Sequence, residues 1–221
     1  MTTHVMPEFV TFTGPDDLVD VDRMVAISVR APVEWGILFS RRRQGMGRYP
    51  SLGLLPKLAS PALRLAAHVC GSYAEEIVAT GACLELETTL ANSGVRFARF
   101  QINTASPLDT RLLASFAARV SGGRAIAQCR DAFQDDPSVD WLHDVSAGEG
   151  IVPSARPVPA SGIFGGYAGG LGPDNAAAQL AAIRERHPPG KRFWIDMETK
   201  VRTDDVFDLD KVEAVLDAVY G

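Results

Sequence analysis

Gly162-Ile163-Phe164-Gly165-Gly166-Tyr167-Ala168-Gly169-Gly170-Leu171-Gly172-Pro173-Asp174-Asn175 is the stretch on which the fold turns. It opens as a short apolar run, breaks on glycines, and reaches Pro173 and Asp174, residue types that start helices. The alanine-rich segment 175–186 reads as that helix. Strand, turn and helix in this order make the repeating unit of a parallel sheet. The same rhythm runs outward in both directions. Candidate strands occupy residues 9–13, 34–40, 64–69, 96–102, 124–128, 139–144, 162–166 and 193–197. Candidate helices occupy 22–29, 73–80 extended by 84–90, 108–120, 175–186 and 210–220. Helices after the second and fifth strands are poorly marked, and 145–161 reads as a long loop. Eight such runs predict an α/β chain folded as a single (β/α)8 barrel domain over residues 1–221. An open doubly wound sheet would carry the same rhythm. The dinucleotide fingerprint is absent after the first strand, where Thr13-Gly14-Pro15 stands, and no cofactor is expected.

Composition narrows the class. With 46% hydrophobic residues in 221, the chain can bury a sizeable core. A net charge of −5 argues against a general nucleic-acid binder. No apolar run approaches the roughly 20 residues that cross a bilayer, and residues 1–10 carry no basic-then-apolar leader. Cys70, Cys83 and Cys129 make neither a disulfide framework nor a CxxC pair. The expectation is a soluble, reduced, cytoplasmic protein with no nucleic-acid or membrane partner, a homodimer being the one assembly considered.

Side chains alternate faces along a strand. The second strand separates Trp35, Ile37 and Phe39 from Glu34, Gly36, Leu38 and Ser40. The fourth separates Phe100 and Ile102 from Arg99, Gln101 and Asn103, and the eighth Phe193, Ile195 and Met197 from Trp194, Asp196 and Glu198. Polar members gather toward the C-terminal strand ends: Thr13, Ser40, His68 and Cys70, then Gln101, Asn103 and Gln128, then Asp144, Asp196 and Glu198. Each would cost about 1–3 kcal/mol if buried without a partner, so an inert core is a poor explanation. Barrel enzymes hold their active sites at that end, and a functional pocket is expected there.

Several motifs point to an anionic ligand. Gly169 and Gly170 follow the seventh strand, where barrels often bind phosphate with backbone N–H groups. Arg41, Arg42, Arg43 and Arg48 lie in a glycine-containing loop after the second strand, and Arg48 is the expected substrate contact. At the eighth strand's exit, Thr199 and Lys200 could hold an anion, whereas Glu198 would face the reacting centre or pair with arginine. Gln101 is expected to bind substrate. Asp144 ends the sixth strand as a candidate general acid. His68 and Cys70 share a face two residues apart, one a potential acid or base, the other a potential nucleophile. His68, Asp196 and Glu198 could in principle ligate a metal, but no spacing demands one and none is expected.

These patches resemble phosphoribosylanthranilate isomerase. Residues Ala168-Gly169-Gly170-Leu171-Gly172-Pro173-Asp174-Asn175 are similar to the family's AGGLxPxNV phosphate-binding stretch. Asp196-Met197-Glu198-Thr199-Lys200-Val201-Arg202, with Asp208 and Lys211, resembles its DxSSGVE…KDxxK ending. Phe100-Gln101-Ile102-Asn103 resembles its VQLHG strand, the run from Ser40 to Arg48-Tyr49 its SxR loop, and Leu142-His143-Asp144 the strand bearing its catalytic aspartate. The resemblance implies a (β/α)8 barrel and an Amadori rearrangement of a phosphoribosyl amine. An aspartate opens the ribose by protonating the ring oxygen, and a cysteine ending the first strand removes the C2 proton. Asp144 would be the acid. Thr13 stands in the cysteine's place, and Lys200 and Arg202 replace a glycine and a glutamate.

The expected function is therefore an isomerase acting on a phosphorylated aminosugar or related sugar phosphate. Asp144 would be its acid, His68 or Cys70 its base, and Glu198 would orient substrate or base. A lyase or aldol-type step on a phosphorylated molecule, or a non-catalytic binding barrel, stands as the alternative. A mere binder has no need of His68, Asp144 and Glu198 around one ligand.

Overall fold

The computed structural model describes residues 6–145, 150–153, 155–188 and 190–221. Eight strands pair in chain order: β1 (Val10–Thr13), β2 (Val33–Ser40), β3 (Arg64–Cys70), β4 (Arg99–Ile102), β5 (Arg124–Cys129), β6 (Asp140–His143), β7 (Gly165–Tyr167) and β8 (Phe193–Met197). β8 returns to β1 in parallel, which closes the barrel and rules out the open sheet. Closure leaves the barrel without an unpaired edge.

Helices α1 (Val21–Arg30), α2 (Ser72–Thr80), α3 (Leu84–Ser93), α4 (Thr110–Ser121), α5 (Ala176–Arg186) and α6 (Leu209–Tyr220) follow the strands. Asp20, Asp109 and Asp208 cap α1, α4 and α6 by accepting first-turn N–H groups. The helical stretch expected over 73–90 is two helices, because Gly81 ends α2 in the left-handed region at φ +72°. The fourth strand starts at Arg99 rather than 96, and the seventh is shifted to Gly165–Tyr167. After β2 stands only a 3-10 helix, Leu52–Leu58. No helix among the described residues is long and apolar enough to cross a membrane.

The strand faces divide as the alternation requires. Trp35, Ile37, Phe39, Phe100 and Ile102 join the large core between strands and helices. Inside the barrel, Phe9, Ile126, Leu142, Ala168 and Trp194 form a separate plug. Gly166 admits the Trp194 ring, since a Cβ there would stand 2.2 Å from it.

A buried charged layer lies toward the N-terminal strand ends. Glu34, fully buried, accepts from Thr11 Oγ1 (3.1 Å), Arg64 Nε (2.8 Å) and Arg99 Nε (3.0 Å). Arg99 also reaches Asp140 Oδ2 at 3.4 Å, and its guanidinium lies over Trp194, 4.1 Å from the ring centre. Burial alone would raise the Glu34 pKa, but Arg99 and Arg64 hold it below its ordinary value. This layer braces the strands beneath the site.

Candidate active site

A cavity of about 640 Å³ opens at the C-terminal ends of the strands. Thr13, Ser40, Arg41 and Arg42 do not line it, whereas the candidate catalytic residues His68, Cys70, Asp144 and Glu198 do, as do the candidate substrate contacts Arg48, Gln101, Gly169, Gly170, Thr199 and Lys200. They come from six strand ends and the loops beyond them, so the barrel's closure is what gathers them.

One rim is backbone. Gly169 and Gly170 adopt φ of +91° and +63°, which favours glycine. A Cβ on Gly169 would stand 2.7 Å from Ile151 O, and one on Gly170 2.6 Å from Gly150 O. A bulky residue at 170 would therefore displace residues 150–152 as well as fill the rim. Asn175 stitches the turn by accepting from Gly172 N (3.0 Å) and donating to Gly170 O (2.9 Å). The N–H groups of Gly169, Gly170 and Leu171 meet no protein acceptor among the described residues. Three successive free donors of this kind are able to cradle an anion. Thr199 and Lys200 sit on a 3-10 turn (Thr199–Val201) beside it, and a Cβ on Gly172 would be 2.4 Å from Lys200 Cβ.

The floor is a buried polar trio. Thr13 Oγ1 donates to Asp196 Oδ1 (3.2 Å) and lies 3.4 Å from His68 Nδ1. Thr13 has one hydroxyl proton, so Nδ1–H is the donor in the second contact and His68 Nε2 keeps its lone pair. His68 Nε2 and Asp196 Oδ2 have no hydrogen-bond partner and stand 3.9 Å apart. Burial pushes the His68 pKa down to about 3. Burial, and then the charge of Glu198, pushes Asp196 well above the usual carboxylate range. His68 is thus uncharged near neutrality, and the Asp196 carboxyl holds its proton more tightly than a free one. Gly36 lets them meet: a Cβ there would fall 2.4 Å from Thr13 Oγ1 and 2.8 Å from His68 Nε2. A glycine inside an otherwise bulky strand is the signal in the sequence for that close approach.

Cys70 is separate from this trio. Its Sγ accepts from Asn103 Nδ2 at 3.1 Å, and burial pushes its thiol up. Gln101 Nε2 donates to Asn103 Oδ1 (2.8 Å), leaving its buried Oε1 without a partner at the cavity. Asp144 stands next to the cradle: a Cβ on Gly169 would be 3.7 Å from Asp144 Oδ1. Glu198 is paired with Arg48 at 2.7 Å, and Arg48 also holds Asp205 at 2.9 Å. Of the other arginines after β2, Arg41 binds Glu76 and Glu85 while Arg43 reaches the cavity. No group of three potential ligands is placed for a metal ion among the described residues.

Arg202 is also accounted for. It donates to Gly14 O (2.5 Å) and to Asp16 Oδ2 (2.7 Å), both partners buried, tying the loop after β1 to a hairpin of β9 (Arg202–Thr203) and β10 (Val206–Phe207).

No family model and no curated protein sequence matches this chain. Solved structures do. TrpF from Jonesia denitrificans superposes with a TM-score of 0.63 at 16% identity, over 96% of this chain and 97% of that one. Phosphoribosyl anthranilate isomerase from Thermus thermophilus gives 0.61 at 15%, over 95% and 96%. A phosphoribosyl anthranilate isomerase in complex with reduced 1-(o-carboxyphenylamino)-1-deoxyribulose 5-phosphate gives 0.60 at 14%, over 97% and 98%. From end to end, the chain has the (β/α)8 barrel fold of phosphoribosyl anthranilate isomerases.

Proposed function

We propose that this protein is an isomerase that rearranges a phosphorylated aminosugar by acid–base chemistry. The observation that carries the reading is the joining, in one cavity, of three free backbone donors with the buried His68–Asp196 pair and the Asp144 carboxyl. The ligand of one solved relative in fold, a deoxyribulose 5-phosphate bearing an arylamine, has this chemistry.

The phosphate sits on Gly169, Gly170 and Leu171, with Thr199 and Lys200 beside it. Asp144, next to the cradle, protonates the ring oxygen and opens the sugar. The C2 proton then passes to the His68–Asp196 pair and one proton returns from the pair to C1, while the C2 hydroxyl gives up its proton to Asp144 as it becomes the ketone, restoring the acid. The pair ends with its proton count unchanged. Groups of opposite role whose surroundings drive their pKa values apart suit such a transfer. Cys70 is the less available base, because its buried thiol resists ionisation and keeps its proton, whereas neutral His68 has a lone pair ready. A non-catalytic barrel would bury His68 and Asp196 together at a cost in stability with no return.

The test is to incubate the protein with phosphoribosyl anthranilate and with phosphoribosylamines carrying other N-substituents. Formation of the corresponding 1-amino-1-deoxyribulose 5-phosphate is the expected result. Turnover of none of them would overturn the reading.

A further inference from the structure

Arg156 lies outside the cavity wall, yet it is 7% exposed and directed at the back of the cradle. Its Nη1 donates to Ala168 O at 2.9 Å, and its Nη2 to Gly169 O and Gln179 Oε1, each at 3.4 Å. The guanidinium lies over the Tyr167 ring, 5.8 Å from its centre. In a trans peptide the C=O and the following N–H point in opposite directions. Arg156 therefore fixes the two peptide units whose other ends are the N–H groups of Gly169 and Gly170. Asn175 does the same to the next unit through Gly170 O.

Arg156 is unusual in a second way. It forms no ion pair among the described residues, and its Nε has no partner. A buried guanidinium without a counter-ion is costly. Burial lowers its pKa to about 10, so it remains charged at neutral pH. The Asp144 charge acts on it without forming an ion pair, and a cation directly behind three inward N–H groups adds to their field at the cavity.

We propose that Arg156 is the positioning residue of the anion cradle, holding the Gly169 and Gly170 amides toward the cavity and adding its positive charge behind them. This rests on the cradle being an anion site, as the proposed function requires. No part of Arg156 touches the anion; it acts through two peptide groups and through its charge.

The experiment uses inorganic phosphate as the probe and the whole chain. Wild type, Arg156→Met and Arg156→Lys are titrated with phosphate while the amide resonances of Gly169 and Gly170 are followed, and thermal midpoints are recorded with and without phosphate. In wild type the two resonances shift and phosphate raises the midpoint. In Arg156→Met, phosphate binds on the order of tenfold or more weakly, while the phosphate-free midpoint holds or rises because an unpaired buried charge is gone. Arg156→Lys keeps the charge without the fork and falls between the two. It also serves if the methionine variant does not fold. If neither resonance moves in wild type, the cradle itself is wrong. If wild type responds but the variants bind phosphate equally well, the cradle stands and the role of Arg156 is overturned. A lower phosphate-free midpoint with unchanged affinity would likewise reduce Arg156 to a structural brace.

Discussion

Replacing His68 with glutamine should flatten the acid side of the stability curve. The imidazole is displaced from 6.5 to about 3 by burial, raised in part by the Glu34 charge and lowered by that of Arg99. The unfolded chain binds a proton at His68 below about pH 6.5, whereas the folded chain does not until about pH 3. The contribution of neutral His68 is therefore complete above pH 6.5 and is lost as pH falls. At about 1.4 kcal/mol per pH unit over about 3.5 units, the full loss is about 5 kcal/mol, and about half of it falls between pH 6 and pH 4. Asp196 works in the opposite sense. Its folded pKa is raised, so its contribution is complete below the usual carboxylate pKa and is lost as pH rises. Asp196 is present in wild type and variant alike, so the comparison reads the change made at position 68. Urea unfolding of wild type and His68→Gln across this range gives the measurement. The stability of wild type relative to the variant should fall by about 2.5 kcal/mol from pH 6 to pH 4, whatever constant offset the substitution adds. Curves that stay parallel from pH 6.5 to pH 4 would mean that His68 is not held neutral, and the proton pair at the cavity floor would go with it.

Asp144→Asn should lower turnover of a phosphorylated aminosugar by about 10²–10⁴-fold, the usual loss for a general acid, with little change in phosphate affinity. Cys70→Ser should keep turnover within a few-fold of wild type, as about expected for a thiol that does not ionise, and a large loss would move the base from the floor to β3's end. Arg202→Met should cost about 3–5 kcal/mol in urea unfolding, because Asp16 would keep its buried charge without its cation; a loss below about 1 kcal/mol would place that pair in solvent.

The eight strands were legible as short apolar runs between turns, and on β2, β4 and β8 the alternation of apolar exterior with partly polar interior residues also marked the faces. Where one face lacked contrast the bounds slipped: Arg96 and Phe97 precede β4 rather than belonging to it. Gly81 stops α2 through its left-handed backbone, a feature that helical periodicity does not register. The rim and floor of the site were legible as residue types at strand ends. Their partnerships were not, because these depend on register. His68 lies beside Leu38 and Thr13 beside Gly36, so Thr13 and His68 meet only across the space that Gly36 leaves. Glu34 and Arg99 both fall on interior faces, but the stagger of three strands makes them a pair. Arg156 had no signal at all: it stands in a loop without periodicity, and only its hydrogen bonds to β7's exit give it meaning.

The departures from the isomerase pattern at Thr13 and Arg202 belong to one rebuilt seam between β1 and β8. Arg202 grips Gly14 O and Asp16, the residues that follow Thr13, and Thr13 in turn holds Asp196 on β8. A cysteine restored at position 13 would therefore enter a changed setting. The site is 1% exposed, which raises a thiol's pKa. Of its polar neighbours, His68 is uncharged and Asp196 is a carboxyl, so neither stabilises a thiolate. The nearby cation, Arg202, is already committed to Asp16. Thr13→Cys should consequently yield a neutral, unreactive thiol, slow toward a thiol reagent at neutral pH, with no gain in turnover of phosphoribosyl anthranilate. It should also weaken the link to Asp196, since a thiol donates poorly. If the variant instead gains turnover together with a reactive thiolate, the floor of this barrel still supports the cysteine chemistry, and the His68–Asp196 pair is not its base.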